Sequence, residues 1–581
     1  MIRPTCNTEM TSPPTRAGGN VVDQINGLDD LLRDYRQRRL SRRELMRRAA
    51  GIGVSVPVLA ALMARESAVV AAAAPAGQDQ PKTGGTLREG YDLDFSRLDP
   101  VATNWYDPAF FALYESLLID SPKGELQPQL ASAWKVAADG TSVTFTIRDG
   151  ATFHSGRPLD AKAVKEVYDA IKDPASGSPL ASLFAPVKAI EARDEKTLVL
   201  SLAHPYYEVL NVVKTGYWAI ANIATRTKLG DAYGQKEIDG TGPFLFQEWV
   251  PGSHVTVKRW EEYPGSIVPY FQNKGKAYLD GIRWEAILEA AQRAVRIQNG
   301  EIDTLRNPAL QDVAQLQSNP DVNVMSFSEP SGYIFGQNFE RKELDFHEVK
   351  MRQAISHAID RKAIVKALLF EQGKPLYGPI TPADKFYAPE VKQFNQFDLD
   401  TAKGLVAELG WKAGDDGILA KNGQRLAFHL VVQAESFNRD LGSVLQAQLK
   451  ELGMEVTVDA LDRGTYFSKL SEGPDSYLFY YLWPVPIDVV ILFVGTPTLK
   501  VPNWGRASIP EVDQAIKAWQ QAPDANALTA AGKQFQLAVA EQLPTIPLVV
   551  RNNIWVQRKN VHGWVPHQYD IYPHYNDVWI G

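Results

Sequence analysis

Cysteine is all but missing from this chain of 581 residues: the only one is Cys6. It lies upstream of an apolar run at 49–64, so a chain cut after that run holds no thiol. That excludes disulfides, a thiolate nucleophile, a cysteine metal site and the cysteine that carries lipid in bacterial lipoproteins. Long hydrophobic runs are scarce too. The greasiest stretch after residue 75 is "SYLFYYLWPVPIDVVILFVG", 476–495. Pro484, Pro486 and Asp488 break and charge its centre, which does not suit a bilayer span. There is no Gly-x-Ser-x-Gly, no His-Glu-x-x-His and no phosphate loop. The nine His residues are scattered, and no cofactor or metal site is expected. "SAWK" (132–135) and "KTG" (82–84) share letters with elements of penicillin-recognising enzymes. They stand in the wrong order and lack a suitably placed Ser-x-Asn. An enzyme is therefore not expected. A secreted hydrolase of that type is one alternative reading, and a binding protein serving a sensor or chaperone role is the other.

What is present begins with arginine. "RDYRQRRLSRRELMRR" (33–48) precedes the apolar "AAGIGVSVPVLAALMA" (49–64), and small residues continue to Ala76. A basic region, a short apolar region and a small-residue cut site make an export signal. Adjacent Arg42 and Arg43 after Ser41 resemble the twin-arginine signal, which exports folded proteins. Residues 1–76 are thus read as signal and cleavage region, cut after Ala74 or Ala76. They hold eleven Arg and seven Asp or Glu, so the rest of the chain is near −11 against −7 for the whole. An acidic body argues against nucleic acid and anionic membranes as partners. The expected location is the periplasm, soluble and without a lipid anchor.

Strand and helix patterns alternate along the rest. "SVTFTI" (142–147), "TLVLSL" (197–202), "HVTVKRW" (254–260) and "GIRWEAIL" (281–288) read as strands. "VKMRQAISHAIDRKAIVKALLF" (349–370) reads as one long helix. "RLAFHLVVQ", "RDLGSVLQAQLKELG" and "MEVTVDAL" read as a βαβ unit. The class is α/β.

One stretch is specific: "LQPQLASAWKVAADGTSVTFTIRDGATFHSGRPLDAKAV" (126–164). With "GTGPF" (240–244), "RAVRIQNGEID" (293–303) and "VKMRQAISHAIDRKAIV" (349–365), it resembles the family 5 solute-binding proteins of ABC importers, the peptide, dipeptide, nickel and opine receptors. The resemblance runs from about residue 84 to 570. By itself the signature reads as scaffold: Asp139-Gly140 and Asp149-Gly150 are turn pairs bracketing a strand, with Trp134 and Phe153 packed beneath. His154 reads as a packed or capping residue.

The resemblance implies a two-lobed clamshell with mixed sheets, two inter-lobe crossings and an extra inserted subdomain. It implies a first lobe at 77–287, a second at 288–485 and a return segment at 486–581. The crossings are expected at Ile287–Ala290 and within "PVPID" (484–488), with "VVILFV" beginning the return. It further implies a monomeric receptor that hands a small-molecule or peptide ligand to an inner-membrane permease and its ATPase. The ligand-binding candidates are Asn104, Trp105, Tyr106, Tyr217, Trp218, Gln337, Asn338, Tyr480, Tyr481, Trp483, Asp488, Asn503, Trp504 and Arg506. Peptide-binding relatives place an acid shortly after the residue matching Trp483. Here the nearest is Asp488, so a free-amine peptide is not the default ligand.

Overall fold

The computed structural model describes residues 80–103, 107–214, 216–330, 332–481, 486–566 and 572–581. Asn104, Trp105, Tyr106 and Trp483, and the export signal with Arg42 and Arg43, lie outside the described residues.

Two mixed sheets organise the fold. The larger has eight strands. Its core strand, Thr86–Tyr91, runs parallel to both Gly281–Ala286 and Thr304–Arg306. The strand Val549–Arg558 lies antiparallel between Thr304–Arg306 and Val322–Ser328. The second sheet orders Glu455–Leu461, Ala427–Gln433, Ser476–Tyr481, Gly332–Gln337 and Ile546–Pro547. Ala427–Gln433 runs parallel to both its neighbours, and its pair with Glu455–Leu461 is the βαβ unit legible in the sequence. The connecting helix, Ser436–Glu451, buries Leu441, Leu445 and Leu449 at four-residue spacing. Gly453, at φ +92°, turns the chain out of it.

A separate four-stranded antiparallel sheet holds the signature segment: Ala131–Val136, Ser142–Ile147, Thr197–Leu202 and Val187–Ala192. Gly140 (φ +68°) and Gly150 (φ +72°) make the turns on either side of Ser142–Ile147. The helix Ala161–Lys172 covers this sheet. Asp160 caps it, its carboxylate accepting from the Ala163 amide at 2.7 Å.

Two short passages join the sheets directly, and between them the chain also returns once to the larger sheet as the short strand Gly373–Pro375, paired with Val549–Arg558. The chain leaves the larger sheet at Ser328 and enters the smaller at Gly332, and it returns between Pro547 and Val549. The sequence reading set the lobe crossings at 287–290 and 484–488, and residues 484 and 485 lie outside the described residues. After Gly281–Ala286 the chain forms the helix Ala290–Gln298 and then two more strands of the same sheet. "VVILFV" belongs to the helix Pro486–Val494. That helix packs with Pro510–Gln520 and Ala525–Gln542 against Tyr477 and Tyr481 of the smaller sheet. A proline is tolerated at a first helical position because its missing N–H would go unused there. The long helix expected over 349–370 is in fact two, Val349–His357 and Arg361–Leu368. Asp360 breaks it, accepting the Lys362 and Ala363 amides at 3.0 Å as cap of the second. Among the described residues no helix is long and apolar enough to cross a membrane.

Candidate functional site

A cavity of about 780 Å³ is lined by residues of both sheets and of the passages between them. From the larger sheet and its loops come Asp92, Asp94, Tyr217, Arg306 and Asn307. Glu329 comes from the passage at 328–332, and Arg551 from the start of the strand Val549–Arg558 just after the other passage. Tyr333, Phe479, Tyr480 and Tyr481 come from the smaller sheet, and Asp488, Val489, Leu492 and Phe493 from the helix after it.

The charges on its wall are mostly spent on one another. Arg306 donates to Asp92 Oδ1 from Nε (3.1 Å) and Nη2 (2.8 Å), and Asn307 Nδ2 donates to Asp92 Oδ2 at 2.9 Å. Burial pushes the Asp92 carboxyl up, but Arg306 and Arg293 outweigh it and hold it below the usual carboxylate range. The Arg306 guanidinium stacks 4.9 Å from the Tyr572 ring centre. Asn307 has φ +49°, a conformation asparagine tolerates better than most residues, and its carbonyl accepts from Arg293.

The second group sits where the chain changes sheets. Glu329 is buried; it accepts from the Tyr480 hydroxyl and from Arg551 Nε at 3.3 Å. The Arg551 guanidinium lies 4.6 Å from the Tyr480 ring centre, and the Tyr480 ring packs at a tilt against Tyr333, centres 4.6 Å apart. The backbones of the two passages are tied as well: the Glu329 amide donates to the Arg551 carbonyl at 3.2 Å, and the Leu548 amide to the Tyr333 carbonyl at 2.9 Å.

Asp488 makes the third polar feature. Trp519 Nε1 donates to it at 2.8 Å, and burial pushes its carboxyl up to about 6. Behind it Glu208 is fully buried, and burial and the charge of Asp488 raise its pKa well above the usual carboxylate value.

Of the sequence candidates that are described, Tyr217, Tyr480, Tyr481 and Asp488 line the cavity, and the others do not. Trp218 is core, stacked on Phe184 at 4.3 Å. Gln337 is fully buried at the end of its strand. Asn338 Nδ2 donates to the Gly473 carbonyl, and Asn503 braces its own loop through the Gly495 and Ala507 carbonyls. Trp504 packs among Phe467, Phe479 and Phe493, one layer behind the wall. Arg506 turns away to the Ser471 and Lys500 carbonyls. Sequence reasoning missed Asp92, Arg306, Glu329 and Arg551. A signal existed for the last: "VVRNN" places a charge and two amides inside an otherwise apolar strand.

Residues 125–489 match the model of the bacterial extracellular solute-binding proteins, family 5 Middle. The chain belongs to this family. It is a solute-binding protein of the type that serves ABC importers. It is 26% identical over 451 residues to the nickel-binding periplasmic protein of Escherichia coli (strain K12), covering 74% of this chain and 80% of that one. It is 25% identical over 487 residues to the glutathione-binding protein GsiB of Shigella dysenteriae serotype 1 (strain Sd197), covering 81% and 90%. The structure of NikA from Brucella suis in complex with Fe(III)-EDTA superposes with a TM-score of 0.73 at 20% identity, over 86% of this chain and 100% of that one.

The family signature lies away from the cavity. His154 ties it to "GTGPF": its Nδ1 accepts from the Gly240 amide at 3.2 Å, which leaves Nε2–H to donate to the Gly242 carbonyl at 3.0 Å. Burial lowers the His154 pKa and favours this neutral ring.

Proposed function

We propose that this family 5 protein is a periplasmic receptor that captures a small solute, peptide-like or related, between two lobes. It delivers the solute to an inner-membrane permease and its ATPase. The reading includes export by the twin-arginine translocase, no lipid anchor, a monomeric state, and binding without catalysis. It divides the lobes at 329–331 and at Leu548. The observation that carries it is the position of the cavity: a ligand lining up between the two sheets touches both lobes and the strands that join them, and so favours the closed arrangement. The carboxylates on the wall support binding over chemistry. Asp92 and Glu329 are engaged by arginines, and Asp488 by an indole. The nickel and glutathione of the named relatives span too wide a chemistry to assign a ligand by kinship.

The test is a solute screen followed by small-angle scattering. A tight ligand should lower the radius of gyration and be recovered unaltered by mass spectrometry. A proven tight ligand that leaves the radius unchanged, or that is returned as a product, contradicts the reading.

A further inference from the structure

Three arginines reach the cavity wall, and they are not equivalent. Arg306 is committed: its side chain is 7% exposed, Asp92 takes both Nε and Nη2, and Tyr572 covers its face. Arg463 stands at the exposed first position of the helix Arg463–Glu472, with its guanidinium 5.8 Å from the Phe467 ring centre. Arg551 is neither buried nor loose. Its side chain is 34% exposed, while its partner Glu329 beneath is 4% exposed. Only Nε is spent on Glu329, at 3.3 Å. The ring of Tyr480 fixes the guanidinium plane, and the Tyr480 hydroxyl holds Glu329 from the other side. Beyond that contact with Glu329 and the approach to the Tyr480 side chain, the guanidinium meets no other described hydrogen-bond partner.

We infer that Arg551 is the anchor for a carboxylate on the ligand, received by its terminal nitrogens while Glu329 and Tyr480 hold the guanidinium in place. The inference rests on the receptor reading and narrows its ligand. A guanidinium with one edge braced and the other open presents the planar pair of donors that a carboxylate matches. The brace matters because an arginine fixed before binding loses little side-chain entropy on binding. The rest of the ligand follows from the wall around it. Phe479, Val489, Leu492 and Phe493 line the cavity as an apolar and aromatic surface. The ligand class is therefore a carboxylate on an apolar or aromatic body. Arg551 sits three residues past Leu548, on the strand that returns to the larger sheet, and its backbone is bonded to Glu329 of the other passage. A ligand anion there sits beside the two direct passages between the sheets at once, at 328–332 and 547–549.

The probes are phenylpropanoate, indoleacetate and octanoate, each compared with its own primary amide, by calorimetry on the full mature chain. The amide keeps the body and removes the charge. At least one acid should bind about 10- to 100-fold more tightly than its amide, the range for a charge-assisted paired contact. Arg551→Gln should abolish that preference. Arg551→Lys, which keeps the charge without the fork, should lose most of it. If Arg551→Gln fails to fold because Glu329 is left unpaired, the wild-type acid–amide comparison and Arg551→Lys still decide. Equal binding of acid and amide, no binding of any acid at millimolar concentration, or a preference that survives in Arg551→Gln overturns the inference. The receptor reading fails on a different result: no solute of any charge binds or compacts the protein.

Discussion

Glu89 shows how much a single buried side chain can set the behaviour of this fold with pH. It is 2% exposed on the core strand Thr86–Tyr91 and accepts from Thr304 Oγ1 (3.0 Å), Trp564 Nε1 (3.2 Å) and the Tyr575 hydroxyl (3.3 Å). Burial outweighs those bonds and pushes its carboxyl up to about 7. A carboxyl raised in the fold binds its proton more tightly there than in the unfolded chain. Its contribution is present below the unfolded value of about 4.3 and is lost as pH rises toward 7. Asp107, also pushed up to about 7 by burial, acts with the same sign. Glu89→Gln stays neutral at every pH and keeps an acceptor oxygen. Relative to wild type, the variant should gain stability between pH 4.5 and 8, by up to about 3–4 kcal/mol at 1.36 kcal/mol per unit. Thermal melts at the two pH values check this; parallel pH profiles would contradict it. None of this was read from "TLREGYD": alternation puts Glu89 on the face of Leu87 and Tyr91, but nothing local names the partners that meet its carboxyl there. Alternation marks a face, but burial on both faces of a parallel strand comes from helices and loops far away in the chain. The cavity was partly legible for the same reason. Tyr480 and Tyr481 stand out in an apolar run, whereas Asp92 and Arg306 become a pair only through a contact 214 residues apart.

The elements themselves were easier to read than their junctions. The strands at 142–147 and 197–202 and the βαβ unit appear where their periodicity put them. The passage at 547–549 was not legible, because "TIPLVV" is one apolar run and nothing in its pattern says that Ile546–Pro547 and Val549–Arg558 belong to different sheets. "GTGPF" leads into the strand Phe244–Val250, which the sequence reading did not name, and its glycines at 240 and 242 serve space and not backbone twist. A Cβ on Gly240 would meet the Leu113 carbonyl oxygen at 2.0 Å, and one on Gly242 the Ala112 carbonyl oxygen at 2.4 Å. The Gly242 amide donates to Leu113 across the same gap. Gly240→Ala must therefore push the short helix Phe110–Leu113 away or break the His154 bonds. The expected loss is roughly 1–3 kcal/mol, the cost of overpacking a closed contact. The urea midpoint should fall, with the carboxylate-to-amide preference of the cavity unchanged. An unshifted midpoint would mean that the gap opens freely.

The whole molecule ties its beginning to its end. The first strand of the larger sheet, Thr86–Tyr91, lies beside residues 281–286 and 304–306, and the latter in turn beside 549–558. Trp564 and Tyr575 close over Glu89 from the last twenty residues. The smaller sheet is likewise incomplete until Ile546–Pro547 is made. Contacts so distant in sequence form slowly and only after nearly all of the chain has been synthesised. A chain of this topology would gain from folding before export, and the proposed twin-arginine reading of the adjacent Arg42 and Arg43 is consistent with that, because such a pathway carries folded cargo. The physical point of the address is the guanidinium pair, whose planar donors lysine does not reproduce although it keeps the charge. Changing both Arg42 and Arg43 to Lys should leave the uncut precursor in the cytoplasm. It should be folded there, with the protease resistance and melting temperature of the exported protein. Fractionation with immunoblotting separates the two sizes and compartments. Mature-length protein in the periplasm at wild-type amounts would remove the twin-arginine assignment. Precursor that is cytoplasmic but unfolded would remove the argument that this topology folds before it is exported.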